Sequence, residues 1–249
     1  MKTGRTDAAP AENGQGPPLA VRARRVRKVY LGVGEIPALR GVELDVARGE
    51  SVGIVGPPGS GKTTLINCLA GLDRLDGGMV VVEGRDLSTL SERERTAFRA
   101  RHMGFVFQSR NLLTVLTAVE SVEIPLLLIG VHAREARRRA LEMLEVVGLA
   151  HRAQNRPDQL HAGEQQRVAV ARALVHQPAV VWADEPTGNL DRDETNLIME
   201  LLSRVNREGQ TIVLATHNPH VAVRAGRVLR LRDGRLEPAP AASLPAVPV

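Results

Sequence analysis

Several features that would settle the class of this chain at once are scarce or missing. Among 249 residues there is one cysteine, Cys68, which excludes an internal disulfide framework and fits a reducing compartment. It falls in an apolar helical stretch, so a buried structural thiol is its expected role. Aromatic residues make up only 2%, with one Trp and one Tyr. Basic residues cluster at Arg22–Lys28 and Arg134–Arg139. Without interleaved aromatics these patches read better as solvated faces, or as a polar rim near anionic lipid, than as a nucleic-acid platform. No direct nucleic-acid partner is expected. No apolar run reaches the roughly 18 residues of a membrane span; the longest, "IPLLLIGV", is less than half of one. The N-terminus lacks the apolar middle of a secretion signal. The expectation is a protein soluble by itself and cytosolic.

What is present suits one α/β domain with a helical insertion: 43% hydrophobic residues, 24% charged residues and a formal net charge of +5. Residues 1–18 and 237–249, rich in Pro, Ala and Gly, read as disordered tails around an ordered domain over 19–236. "SVGIVG", "AVVWAD" and "TIVLAT" read as buried strands, each followed by turn residues. "SERERTAFRAR" carries a capping box, Ser91 with Glu94, and "REARRRALEMLEVVG" is a second helix ended by Gly148. Between about 88 and 155 strand signals are few, which predicts a helical subdomain inserted into the sheet domain. Extended through the next helix, it spans about 88–175.

The chemistry begins at "GPPGSGKTT", which fits G-x-x-x-x-G-K-[ST] between an apolar strand and a helix. Gly56, Pro57, Pro58, Gly59, Ser60 and Gly61 would curl so that successive N–H groups face an anion at a helix N-terminus. Lys62 would reach the β- and γ-phosphates of a nucleoside triphosphate, and Thr63, followed by Thr64, would ligate Mg²⁺. The motif alone does not choose ATP over GTP. "AVVWADEP" supplies the second half. Asp184 ends a buried strand, where its carboxylate can hold Mg²⁺, and Glu185 follows, placed to polarise a water for in-line attack. Trp182 faces the opposite way from its strand neighbours and is read as packing.

These motifs, with Tyr30 in "RKVY", Gln108 in "VFQ", "LHAGEQQ", "ADEPTGNLD" and His217 in "ATHN", occur in an order that resembles the nucleotide-binding subunit of an ATP-binding-cassette (ABC) transporter over residues 20–236. "NLLTVLTAVESVEIPLLLIG" and "GEQQRVAVARAL" are similar to the macrolide-export and lipoprotein-releasing branch, with a cell-division ATPase relative close by. The resemblance implies an α/β fold: a P-loop NTPase core with a parallel sheet, an antiparallel β subdomain and an inserted helical subdomain. It implies an Mg²⁺-dependent ATPase in which Tyr30 stacks on adenine. Gln108 sits near the metal and the attacking water, and His217 contacts the γ-phosphate. Asp191 would reach towards a second subunit. The turn His161, Ala162, Gly163, Glu164 would face the γ-phosphate held by that subunit, so a homodimer is expected, driving a separate integral membrane permease from the inner face of the membrane.

The family turn is L-S-G-G, and here His161 replaces the serine and Ala162 the first glycine. The exchange removes one hydroxyl donor, which histidine can replace or obstruct. Alanine is tolerable there only if the backbone avoids positive φ. Leu112, Leu113, Val115 and Leu116 are candidate contacts with the permease. The alternatives are a cell-division type ATPase, a soluble ABC ATPase acting on nucleic acid, and a weakly hydrolytic regulatory partner in a heterodimer.

Overall fold

A computed structural model describes residues 18–32, 34–240 and 245. In chain order the main elements are β1 (Leu19–Gly32), β2 (Gly34–Ala47), β3 (Ser51–Val55), α1 (Lys62–Leu69), β4 (Gly77–Val82), β5 (Arg85–Asp86), α2 (Glu92–His102) and β6 (Met103–Phe107). They continue with α3 (Ala118–Leu128), α4 (Ala133–Val146), α5 (Ala162–Leu174), β7 (Val180–Asp184), α6 (Arg192–Arg207), β8 (Thr211–Thr216), α7 (Pro219–Ala222), β9 (Arg227–Arg232) and β10 (Arg235–Pro238). Two sheets result. An antiparallel one has the order β2-β1-β4-β5; the other has the order β10-β9-β3-β8-β7-β6 and is parallel from β9 to β6.

The central parallel strands β3, β7 and β8 are short Val/Ile-rich runs because both of their faces are covered. Alternation along β7 shows how. Val181 and Ala183 join a core built with α3, α4, α5 and α6, while Val180 and Trp182 join a core with α1 and the antiparallel sheet. Trp182 is fully buried and faces away from its neighbours, as its place in the strand predicts. Cys68 lies in the same core, and burial pushes its thiol up to about 12, so it stays protonated near neutral pH.

Helix ends follow local chemistry. The Ser91 and Thr117 hydroxyls each cap a helix by accepting the Glu94 and Glu120 N–H, and the Ser91 and Thr117 N–H groups donate in return to the Glu94 and Glu120 carboxylates. Beyond α4, Gly148 adopts φ +73°, and its N–H and that of Leu149 close the last turn on Glu145 and Leu144.

Two expected boundaries need correction. The stretch 88–175 is not purely helical. "MGFVF" forms β6, the edge strand of the parallel sheet, and α2 packs beside it. The strand begins directly where α2 ends, without turn residues, and "MGFVF" has no Val/Ile run to mark it. The inserted helices proper are α3 and α4, packed on each other and on α5. At the other end, β10 carries Glu237 and Pro238 past the expected boundary at 236, because an edge strand accommodates proline. The tail expected over 1–18 lies outside the described residues except for Pro18, whose carbonyl accepts the Arg48 N–H. Of the tail expected beyond 236, residues 241–244 and 246–249 also lie outside them.

The basic clusters are largely ion-paired. Arg24 forks onto Asp45 with two contacts of 2.7 Å, Arg137 meets Glu123 at 2.8 Å, and Arg138 lies between Glu135 and Glu142. Among the described residues no helix is long and apolar enough to cross a membrane.

Candidate functional site

The parallel register aligns the carboxyl ends of four strands, the edge where open α/β sheets bind ligands. Val55 pairs with Thr216, Ala215 with Asp184, and Asp184 with Phe107. The residues that follow, Gly56, His217, Glu185 and Gln108, therefore converge although they are far apart in sequence.

The loop 56–61 is shaped by its glycines. A Cβ on Gly56 would lie 2.4 Å from the Leu231 carbonyl, and one on Gly61, at φ +101°, 2.7 Å from the Ala38 carbonyl. Gly59 has φ +77°. Lys62 is 7% exposed and donates to the Gly56 carbonyl at 2.8 Å and the Pro57 carbonyl at 3.1 Å. Its Nζ is 3.9 Å from Glu185 Oε1. Burial lowers its pKa, with Glu185 and Asp184 opposing. Ser60 Oγ is buried without a hydrogen-bond partner, so the loop keeps a donor in reserve beside its backbone amides.

Asp184 is the other under-satisfied group. Its Oδ1 is buried with no partner, and burial raises its pKa, while the Thr63 hydroxyl pulls the other way. A buried carboxylate oxygen without a donor, beside a threonine hydroxyl and with Gln108 following the paired strand, fits a hard oxygen-seeking cation such as Mg²⁺. Gln108 passes so close to Gly188 that a Cβ there would sit 2.7 Å from its Cγ.

Glu185 has φ +47°, a left-handed conformation unfavourable by about 1–2 kcal/mol for an L residue. Three donors hold it there: Thr216 Oγ1 at 2.9 Å, the His217 N–H at 2.8 Å and His217 Nδ1 at 2.8 Å. A strained residue this firmly held is a mark of a working site. Thr216, fully buried, escaped the sequence reading although it stands beside His217 in "ATHN".

Tyr30 is 41% exposed at the edge of β1, and its hydroxyl donates to Asp73 at 2.8 Å and approaches Thr64 at 3.5 Å. Lys28 donates to the same carboxylate at 2.7 Å and lies 5.2 Å from the ring centroid. Asp73 is thus a second missed residue. Nothing in its local sequence marks it, because it lies in the turn after α1 and its partners come from β1.

The turn 160–164 faces outward. His161 and Ala162 are exposed, and Gly163 and Glu164 are buried. His161 N-caps α5 with φ −68°, and its ring gives the helix no capping bond; instead Glu164 Oε2 accepts the His161 N–H at 2.9 Å. Ala162 begins the helix and is not among the positive-φ residues, so the glycine replacement is free of backbone strain. Gly163 leaves room for the Glu194 side chain, whose Cδ would lie 2.0 Å from a Cβ there, so a larger residue would have to displace that carboxylate. Asp191 is occupied locally: its Oδ1 caps α6 by accepting the Glu194 N–H at 2.8 Å.

Residues 39–188 match the family model described as ABC transporter. The chain belongs to the ABC transporter ATP-binding family. This ABC ATPase is 49% identical over 213 residues to an uncharacterized ABC transporter ATP-binding protein of Thermotoga maritima, covering 85% of the chain and 91% of that relative. It is 48% identical to the lipoprotein-releasing system ATP-binding protein LolD 2 of Caulobacter vibrioides (89% and 97% covered). It is 49% identical to LolD of Bordetella pertussis (91% and 98%). Among solved structures, it superposes with TM-score 0.81 at 40% identity on the dimeric ATP-binding cassette MJ0796 in a post-hydrolysis state bound to ADP and Pi, covering 88% of this chain and 98% of that one. The ABC ATPase is an ATP-binding and ATP-hydrolysing subunit of a transporter.

Proposed function

We propose that two copies of this chain close head to tail on two ATP molecules and drive a separate membrane permease that moves a lipid-linked protein cargo, from the inner face of the membrane. The cargo follows the names of the relatives, and the pairing follows the dimeric cassette. The observation that carries the hydrolytic reading is Glu185, held by Thr216 and His217 at the strand ends beside Lys62.

In this reading the loop amides of 56–61 and the Lys62 ammonium bind the phosphates. Tyr30 offers its ring face to the adenine, oriented by Asp73. Asp184, Thr63 and Gln108 would hold Mg²⁺, which when bound neutralises phosphate charge. Glu185 accepts a proton from the attacking water. His217, whose Nδ1 is engaged by Glu185, presents the far side of its ring to the γ-phosphate. The turn His161–Glu164 presents the N-terminus of α5 to the nucleotide of the partner. Leu113 and Val115, 58% and 72% exposed, are the candidate permease contacts; Leu112 and Leu116 are half-buried and serve packing.

Glu185→Gln tests the reading. Turnover should fall by about a hundredfold or more while Mg-ATP is retained, and the protein should elute as an ATP-bound dimer. Undiminished hydrolysis would remove Glu185 from the chemistry. Release of a lipid-linked protein from vesicles holding the permease, dependent on Mg-ATP and this chain, checks the cargo.

A further inference from the structure

Behind its N-terminal turn, α5 grips the two chain segments that carry Gln108 and Glu185. Gln166 is 1% exposed, and its Nε2 donates to the Pro186 carbonyl at 2.7 Å and to the Phe107 carbonyl at 3.3 Å. Pro186 directly follows Glu185, and Phe107 directly precedes Gln108. Further along the helix, Arg172 donates to the Asn111 carbonyl at 2.7 Å and to the Arg110 carbonyl at 2.8 Å. Arg110 and Asn111 both have positive φ, +48° and +49°, so their turn needs outside support, and a planar guanidinium fork suits two consecutive carbonyls. The Oε1 of Gln166 is buried without a partner. The amide is thus a poor way to fill the core, since an apolar side chain of the same size would orphan no acceptor of its own. What it supplies is one donor shared by two loops.

We propose that Gln166 is a positioning residue for ATP hydrolysis, setting Glu185 and Gln108 against α5, with Arg172 bracing the far side of the Gln108 loop. The proposal rests on the roles given above to those two residues. Because the same helix presents the turn 161–164, its setting reaches the strand ends through these two side chains.

The test is Gln166→Met in the full chain, followed by steady-state ATP hydrolysis, titration with a fluorescent ATP analogue and thermal melting. The expected result is kcat lowered about tenfold, with KM and analogue affinity within about threefold and Tm within about 3 °C. Arg172→Lys keeps the charge but reaches only one carbonyl, and should lower kcat by about threefold with KM unchanged. It serves as the second reading if the first variant does not fold. The proposal is overturned if kcat stays within about twofold, if kcat, affinity and Tm fall together, or if neither variant folds, since the contacts then serve the fold alone. Glu185→Gln is measured alongside. If it still hydrolyses ATP, the role of Glu185 is lost; if it is inactive while Gln166→Met turns over normally, only the present proposal fails.

Discussion

At the carboxyl edge of the parallel sheet, Glu185 is held by three donors and Lys62 by two carbonyls, whereas the turn at 160–164 offers solvent a histidine ring and an alanine methyl. The first region is over-determined. A Cβ on Gly56 or Gly61 would meet a backbone carbonyl, the strained backbone is pinned, and the unsatisfied atoms, Ser60 Oγ and Asp184 Oδ1, suit the nucleotide and metal proposed above. The second is determined only behind its surface, where Gly163 meets Glu194 and Glu164 holds the His161 amide. Binding needs the first to be pre-formed, since a phosphate cradle that had to assemble would lose affinity to its own ordering. In the proposed dimer the second would be completed only across an interface, so its exposed side chains would find their partners there and not within the chain.

Variants on either side sharpen that contrast. Lys62→Ala should have the largest effect. It removes a buried cation from the phosphate site, and Mg-ATP affinity should fall by about a hundredfold, near 2.7 kcal/mol, read by fluorescence titration. An affinity within about threefold of the parent would mean that the cradle binds through its amides alone, and the contrast would lose its stronger side. His161→Ser belongs to the outward turn and should leave ATP binding by the single chain unchanged. Turnover in the assembled complex should rise by about fivefold, near 1 kcal/mol, as a hydroxyl donor returns. An unchanged or lower rate would show that the imidazole already serves as donor.

The convergence of the phosphate loop, Asp184, Glu185 and His217 was legible in the sequence because each stands at the end of a buried strand or directly after one, and parallel pairing then brings them together. The α/β class was legible for the same reason. Strand β6 was not, since it follows α2 with no turn residue between them and "MGFVF" lacks the Val/Ile run that marks the equally short β3 and β7. Nor were Thr216 and Asp73, whose importance lies in what they touch: Thr216 holds Glu185 from the neighbouring strand, and Asp73 holds Tyr30 from the turn after α1. Sequence spacing reports which residues share an element. It is silent on which side chains of different elements meet.

The smallest expected effect lies behind the turn and tests whether that part is as firmly built as the cradle. Glu164 is 8% exposed. Burial pushes its pKa up, but the His161 N–H and Arg152 together outweigh burial, so the carboxyl titrates below its ordinary value of 4.5. A depressed folded pKa stabilises the fold fully above the unfolded value, and that stability is lost as pH falls through the folded one. Glu164→Gln keeps an acceptor for the amide but loses the charge. At pH 7 the variant should be less stable by about 1 kcal/mol, or about 2–4 °C in Tm. The gap between parent and variant should close as the pH falls below the mid-fours. A gap that persists unchanged into acid would assign the loss to packing, leaving the turn without the electrostatic anchor that its exposed face relies on.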